Sequence, residues 1–140
     1  MLDINTLAVD PDRSNEGVWF PFFGARLRIA RSSNEEADKM RRRLWVENLE
    51  TLQKGGEEAE ELSRQIELQV MAHCILRDWE GLGSGGKPLK YSPEAAFKYL
   101  SDPQFIDFRT FVENVSQNRE KYRAEAEAEA VETVKDTADS

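Results

Sequence analysis

Few stretches of this chain combine residue types and spacings that could do chemistry, and the most suggestive is Gly81-Leu82-Gly83-Ser84-Gly85-Gly86-Lys87. A glycine-rich loop ending in lysine can cradle phosphate through its backbone N–H groups. Such a cradle needs a strand before the loop, a helix directly after it and a hydroxyl residue beside the lysine. Here the preceding run reads as helix, Asp78 and Glu80 stand beside the loop, and Pro88 follows Lys87. The loop therefore reads as a helix-to-helix connection.

The other reactive side chains are isolated. His73 is the single histidine and has no cluster of ligands around it, so no metal site and no catalytic base is assigned to it. Cys74 is the single cysteine, which excludes an internal disulfide and reads as a buried free thiol. None of the 27 acidic residues stands out as half of an acid and base pair, and no cofactor fingerprint occurs. The expectation is a protein without catalytic, cofactor or metal chemistry, and not an enzyme.

Charge narrows the partners. The net charge is −8, and phosphate backbones are bound by basic surface, so nucleic acid is not the expected partner. The basic cluster Lys39, Arg41, Arg42 and Arg43 reads as a solvated helix face pairing with Glu47 and Glu50. No apolar run has the length of a membrane span, and Met1 to Arg13 lacks the order of a secretory signal, so no membrane partner and a cytoplasmic location are expected.

The elements that must position any site follow from patterning. Residues 1–15, broken at Asp10-Pro11-Asp12, read as a flexible N-terminal arm. Residues 16–32 read as a β-hairpin turning at Phe23-Gly24, with Arg26 and Arg28 on one face and Leu27 and Ile29 on the other. Two strands are marginal alone, so this hairpin must pack on helices or pair with another chain, and its edge is a docking or oligomer surface to consider.

Helices are expected over about 34–54, capped by Ser33 or Asn34, and 57–80, the most apolar and so the central one. Ser92-Pro93 and Asp102-Pro103 each open a further helix, 93–101 and 103–123, because the cap and the proline suit the first turn. Apolar spacing places Ala37, Met40, Leu44, Trp45, Leu49 and Leu52 on the inner face of the first helix, and Phe105, Phe108, Phe111, Val112 and Val115 on that of the last. Residues 124–140 are alanine and acid with little to bury and read as a fraying or disordered acidic tail. The fold class is mainly α, a small domain of about four helices over residues 16–123 with an N-terminal β-hairpin.

Taken in order, several short motifs resemble the tail assembly chaperones of long-tailed, siphovirus-type bacteriophages. They are Glu16-Gly17-Val18-Trp19, Gly24-Ala25-Arg26-Leu27-Arg28-Ile29-Ala30-Arg31, Asp78-Trp79-Glu80-Gly81-Leu82, Tyr91-Ser92-Pro93-Glu94, and Leu100-Ser101-Asp102-Pro103 before Phe108, Phe111-Val112 and Asn118-Arg119. The resemblance spans roughly residues 16–129. It implies a non-enzymatic protein in the host bacterial cytoplasm that coats the tape measure protein, helps tail tube subunits gather around it, and is absent from the mature virion. It also implies a longer translational frameshift product that contacts the tube protein, its junction falling in the acidic end.

A holdase needs apolar surface for its client and charged surroundings for solubility. The expected partner-binding residues are Trp19, Phe20, Phe22 and Phe23 on the hairpin, then Trp79 and Tyr91, although ordinary core would use the same residue types. Two other classes fit the sequence: a structural virion component of connector type, and a helical regulator binding nucleic acid through Lys39 to Arg43.

Overall fold

A computed structural model describes residues 1–7 and 15–118 of the 140. The expected acidic tail, the end of the last helix and residues 8–14 of the arm lie outside the described residues. The fold is mainly α with a small antiparallel sheet. In chain order it runs a first 3-10 turn (Ile4–Leu7), β1 (Val18–Phe22), β2 (Ala25–Ile29), α1 (Glu35–Glu47), α2 (Leu49–Lys54), α3 (Gly56–Val70), a π-helical turn (Met71–Ile75), β3 (Leu76–Glu80), the two-residue strands β4 (Gly83–Ser84) and β5 (Lys87–Pro88), α4 (Pro93–Ser101), a second 3-10 turn (Pro103–Phe105) and α5 (Ile106–Gln117).

The hairpin forms as its alternation requires, with Val18 opposite Ile29 and Phe22 opposite Ala25. Val18, Phe20, Leu27 and Ile29 face inward and are fully buried. A third strand completes the sheet in the order β1-β2-β3. This corrects the expected 57–80 helix, which ends as regular helix at Val70 and becomes strand from Leu76.

The correction has a physical reason. β3 pairs Leu27 with Trp79 and Ile29 with Leu76, and the register shifts between Arg28 and Ile29. Leu76 and Trp79 both point into the core although three positions apart, a spacing that in a sequence signals helix rather than strand. The π turn before it lets Met71, Ala72, Cys74 and Ile75 all be buried while His73 stays exposed.

The expected 34–54 helix is likewise two helices, interrupted at Asn48, whose side-chain amide donates to the Leu44 carbonyl at 2.8 Å. Trp45 and Leu49, expected inside, are exposed; Met40, Leu44 and Leu52 lean on the core. The 81–87 loop folds into the tight β4–β5 hairpin, Gly83 opposite Pro88. It joins a strand to a helix, so the expected helix-to-helix connection is corrected too. The expected 103–123 helix begins as the 3-10 turn and turns α-helical at Ile106.

The predicted caps at Asn34, Ser92 and Asp102 all form. Ser92 Oγ accepts from the Ala95 N–H at 3.0 Å, with Pro93 at the first helical position. Asn34 Oδ1 accepts from the Ala37 N–H at 2.9 Å. The core lies between the inner sheet face and α1, α3, α4 and α5, and takes in Leu68, Val70, Leu100, Val112 and Val115.

Candidate partner-binding site

The sheet, the β4–β5 hairpin and the α4–α5 corner converge on one apolar surface pocket of about 190 Å³. Phe22 reaches it from the hairpin tip, Trp79 from β3, Leu82 and Leu89 from the β4–β5 hairpin, and Tyr99, Phe105 and Phe108 from the helical corner. Such a concavity suits an apolar side chain of a partner.

Its walls are held by specific contacts. The Trp79 indole N–H donates to the Leu89 carbonyl at 2.7 Å, and its ring meets Tyr91 edge-on at 5.0 Å. The Tyr91 hydroxyl donates to the Leu76 carbonyl at 2.6 Å. Burial raises the Tyr91 pKa above its ordinary value, an effect that the nearby Arg77 partly offsets, so the hydroxyl remains a donor. Phe22 packs at 4.7 Å from Phe111 and 5.9 Å from Phe108. On the corner, Asp102 caps the 3-10 turn by accepting from the Gln104 N–H at 3.0 Å, and Tyr99 meets Phe105 edge-on at 5.1 Å.

Phe23 is outside the lining but follows Phe22 at the hairpin tip. It is 95% exposed and touches Phe22 edge-on at 4.9 Å. Its φ of 47°, followed by 82° at Gly24, puts both central residues of the turn in the left-handed region, as a two-residue hairpin of this twist demands. Glycine and asparagine adopt that conformation readily, whereas for a bulky side chain it costs about 1–2 kcal/mol. A large apolar ring thus occupies a position that disfavours it locally and buries little of it.

The six expected binding residues separate. Phe22 lines the pocket, and Phe23 touches Phe22 from outside the lining. Trp79 lines the pocket but is almost buried, and Tyr91 braces it from behind. Phe20 has no exposed surface. Trp19 is on the opposite sheet face, with the Arg26 guanidinium 4.7 Å above its ring and that of Arg28 at 5.8 Å. Leu82, Leu89, Tyr99, Phe105 and Phe108 were not singled out as binding residues. Phe105 had been expected inside; its 39% exposure follows from its place in the 3-10 turn rather than on the α5 stripe.

The basic cluster is paired locally: Arg41 with Asp38 at 3.0 Å and Glu67 at 2.8 Å, Lys39 with Glu35 at 3.0 Å, and Arg43 with Glu47 at 3.9 Å. Among the described residues no group of three or more His, Cys, Asp or Glu could hold a metal ion, and no helix is long and apolar enough to cross a membrane.

A family model described as YdaY prophage protein matches residues 32–133. The chain belongs to the YdaY prophage protein family. The matched span contains the helices, β3 and the β4–β5 hairpin, and with them six of the pocket's lining side chains, from Trp79 to Phe108. Phe22 and Phe23 precede it. A YdaY protein is a prophage protein, which makes this chain phage-derived. No curated protein and no solved structure matches it significantly.

Proposed function

We propose that this YdaY-family chain is a tail assembly chaperone of a long-tailed phage, which binds the tape measure protein and helps recruit tail tube subunits without catalysis. The observation that carries the binding role is Phe23, a nearly fully exposed ring held in a left-handed turn against Phe22, which lines the apolar pocket. Strain retained at an exposed side chain points to function, because the fold alone would favour asparagine or glycine there.

The client assignment is supported by the order of motifs that resembles tail assembly chaperones and by membership of a prophage family. A tape measure protein is a long helical rod, and amphipathic helices offer apolar side chains at regular spacing to pockets of this kind. The net charge of −8 would keep the complex soluble. On this reading the protein works in the host bacterial cytoplasm, binds neither nucleic acid nor membrane, and leaves before the virion matures. A longer frameshift product would carry the contact to the tube protein.

The test is co-expression with the tape measure protein of the same genome, followed by size-exclusion chromatography of the soluble fraction. The client is expected to become soluble and co-elute, and Phe23→Glu is expected to abolish this while leaving the chain folded. A client that stays insoluble with both the short and the longer product overturns the reading. Recovery of the chain from purified particles would favour a structural virion component instead.

A further inference from the structure

The β4–β5 hairpin walls one side of the pocket through Leu82, Gly83 and Leu89, yet little joins it to the rest of the molecule. Gly83 to Pro88 are all exposed. Leu82 and Leu89, half-buried, are the residues by which it leans on the core. Internally it is well made: Gly83 pairs with Pro88, Ser84 with Lys87, and the Leu89 N–H donates to the Leu82 carbonyl at 2.9 Å. Among the described residues a single hydrogen bond ties it to the body, from the Trp79 indole N–H to the Leu89 carbonyl at 2.7 Å.

The chain on either side of the hairpin is anchored. Before it, Glu80 ends β3 and pairs with Arg26 at 3.5 Å. After it, the Tyr91 hydroxyl donates to the Leu76 carbonyl and Ser92 caps α4. Between anchors and hairpin lie Gly81, with a φ of 80°, and Lys90, exposed and in no helix or strand. A unit with its own ladder, one bond and two side chains to the body, and a short joint at each end belongs to the part of a fold that opens locally while the core stays closed.

We propose that the β4–β5 hairpin is a flap over the pocket, latched by the Trp79 indole N–H on the Leu89 carbonyl and swinging as a unit about Gly81 and Lys90. Closed, it leaves a space of about 190 Å³, room for one apolar side chain, and keeps Trp79 only 5% exposed. Open, it carries the wall of Leu82, Gly83 and Leu89 away and uncovers the Trp79 ring for a longer apolar segment. The consequence for a client rests on the proposed binding role of the pocket; the motion itself does not.

The test is hydrogen exchange of the full chain followed by NMR, with no client present. The reference is the Leu27 amide, fully buried on the central strand opposite Trp79. After correction for intrinsic rates, the Trp79 indole N–H should exchange at least about 100-fold faster than Leu27, as a minor open state of about 0.1–10% allows. Low urea should leave the indole rate unchanged and raise that of Leu27, because only global unfolding exposes the core.

Two variants identify the motion. Leu82→Ala with Leu89→Ala loosens the grip on the core and should speed indole exchange by at least about tenfold. Gly85→Asn strengthens the hairpin turn, since asparagine accepts a φ of 59°, and should leave the rate unchanged because the flap moves whole. Indole exchange as slow as that of Leu27, no response to the double alanine variant, or slowing by Gly85→Asn would each overturn the proposal. Circular dichroism of each variant checks that the fold is kept. A fixed flap beside a client that co-elutes sinks the motion alone, and a mobile flap beside a client that stays insoluble sinks the binding role alone.

Discussion

The side-chain amide of Asn34 donates to the Cys74 carbonyl at 2.9 Å, joining residues forty positions apart. The same amide donates to the Arg31 carbonyl at 2.7 Å, and its oxygen caps α1 through the Ala37 N–H. Asn34 is 2% exposed, so a single side chain satisfies three backbone groups, two of them buried, at the point where β2, α1 and the π turn meet.

Asn34→Ala should therefore cost more than a surface cap. A cap contributes about 1 kcal/mol, and an orphaned buried carbonyl adds about 1–3 kcal/mol. We expect a loss of about 2–4 kcal/mol in urea unfolding with an unchanged denaturant slope. Asn34→Asp keeps the cap acceptor but turns a carboxylate oxygen toward two carbonyls, and should be at least as damaging as alanine. If aspartate proves as stable as asparagine, the amide donors contribute nothing.

Gly17 and Gly24 offer a contrast between conformation and space. Both have positive φ, 91° and 82°. A Cβ at Gly17 would come within 2.8 Å of the Ile29 backbone carbon, whereas one at Gly24 would meet open space. Gly24→Ala should cost only the left-handed penalty, about 1–2 kcal/mol. Gly17→Ala must also push β1 from β2 at the start of the sheet, and should cost about 2–4 kcal/mol. Equal losses in thermal unfolding would show that the close approach relaxes freely.

Which parts of this were legible in the sequence follows from what each signal encodes. The hairpin was legible because alternation from Ala25 to Ile29 and a glycine at the turn are local and need no partner. The caps at Asn34 and Ser92 were legible for the same reason. β3 was not. It exists because β2 needs a second neighbour, and the irregular pairing at Arg28 and Ile29 gives Leu76 and Trp79 the spacing of a helix. The pocket was legible only in part: Phe22 and Trp79 were in view, but Phe105 reaches it from the 3-10 turn at Pro103, which no periodicity announces, and Tyr99 reaches it from the end of α4 only because that turn folds the corner back on it. Trp45 and Leu49 fit the helical stripe of Leu44 and Leu52, and only the break at Asn48 shows why they lie outside.

Two ionisable groups give the fold an alkaline limit. Burial raises the pKa of Cys74 above its ordinary 9.0 and that of Tyr91 above 10.0, with Arg77 opposing the rise at both. The folded chain holds these protons more tightly than the unfolded chain. Their contribution is complete below the unfolded values and is lost as pH rises through the folded ones. The urea midpoint should be flat across neutral pH and should fall above about pH 9, where the unfolded thiol and then the phenol begin to ionise. In the native chain Cys74, 6% exposed, should react with an aromatic disulfide reagent far more slowly than in urea. Rapid native labelling would mean that the π turn opens readily.

At Phe23 stability and binding pull in opposite directions. Phe23→Asn turns the hairpin tip into Asn-Gly, the pair best suited to two positive φ angles. It removes the left-handed penalty of about 1–2 kcal/mol and loses the edge contact with Phe22, which at an exposed site is worth about 0.5 kcal/mol. The net should be a gain, raising Tm by roughly 2–4 °C. The same change removes the ring beside the pocket-lining Phe22 and, on the proposed function, should weaken association with the tape measure protein by at least about tenfold, as loss of an aromatic anchor does. A more stable chain that binds less well would mean that Phe23 is kept for its surface. A less stable chain with unchanged binding would make the ring part of the fold and leave the pocket without its anchor.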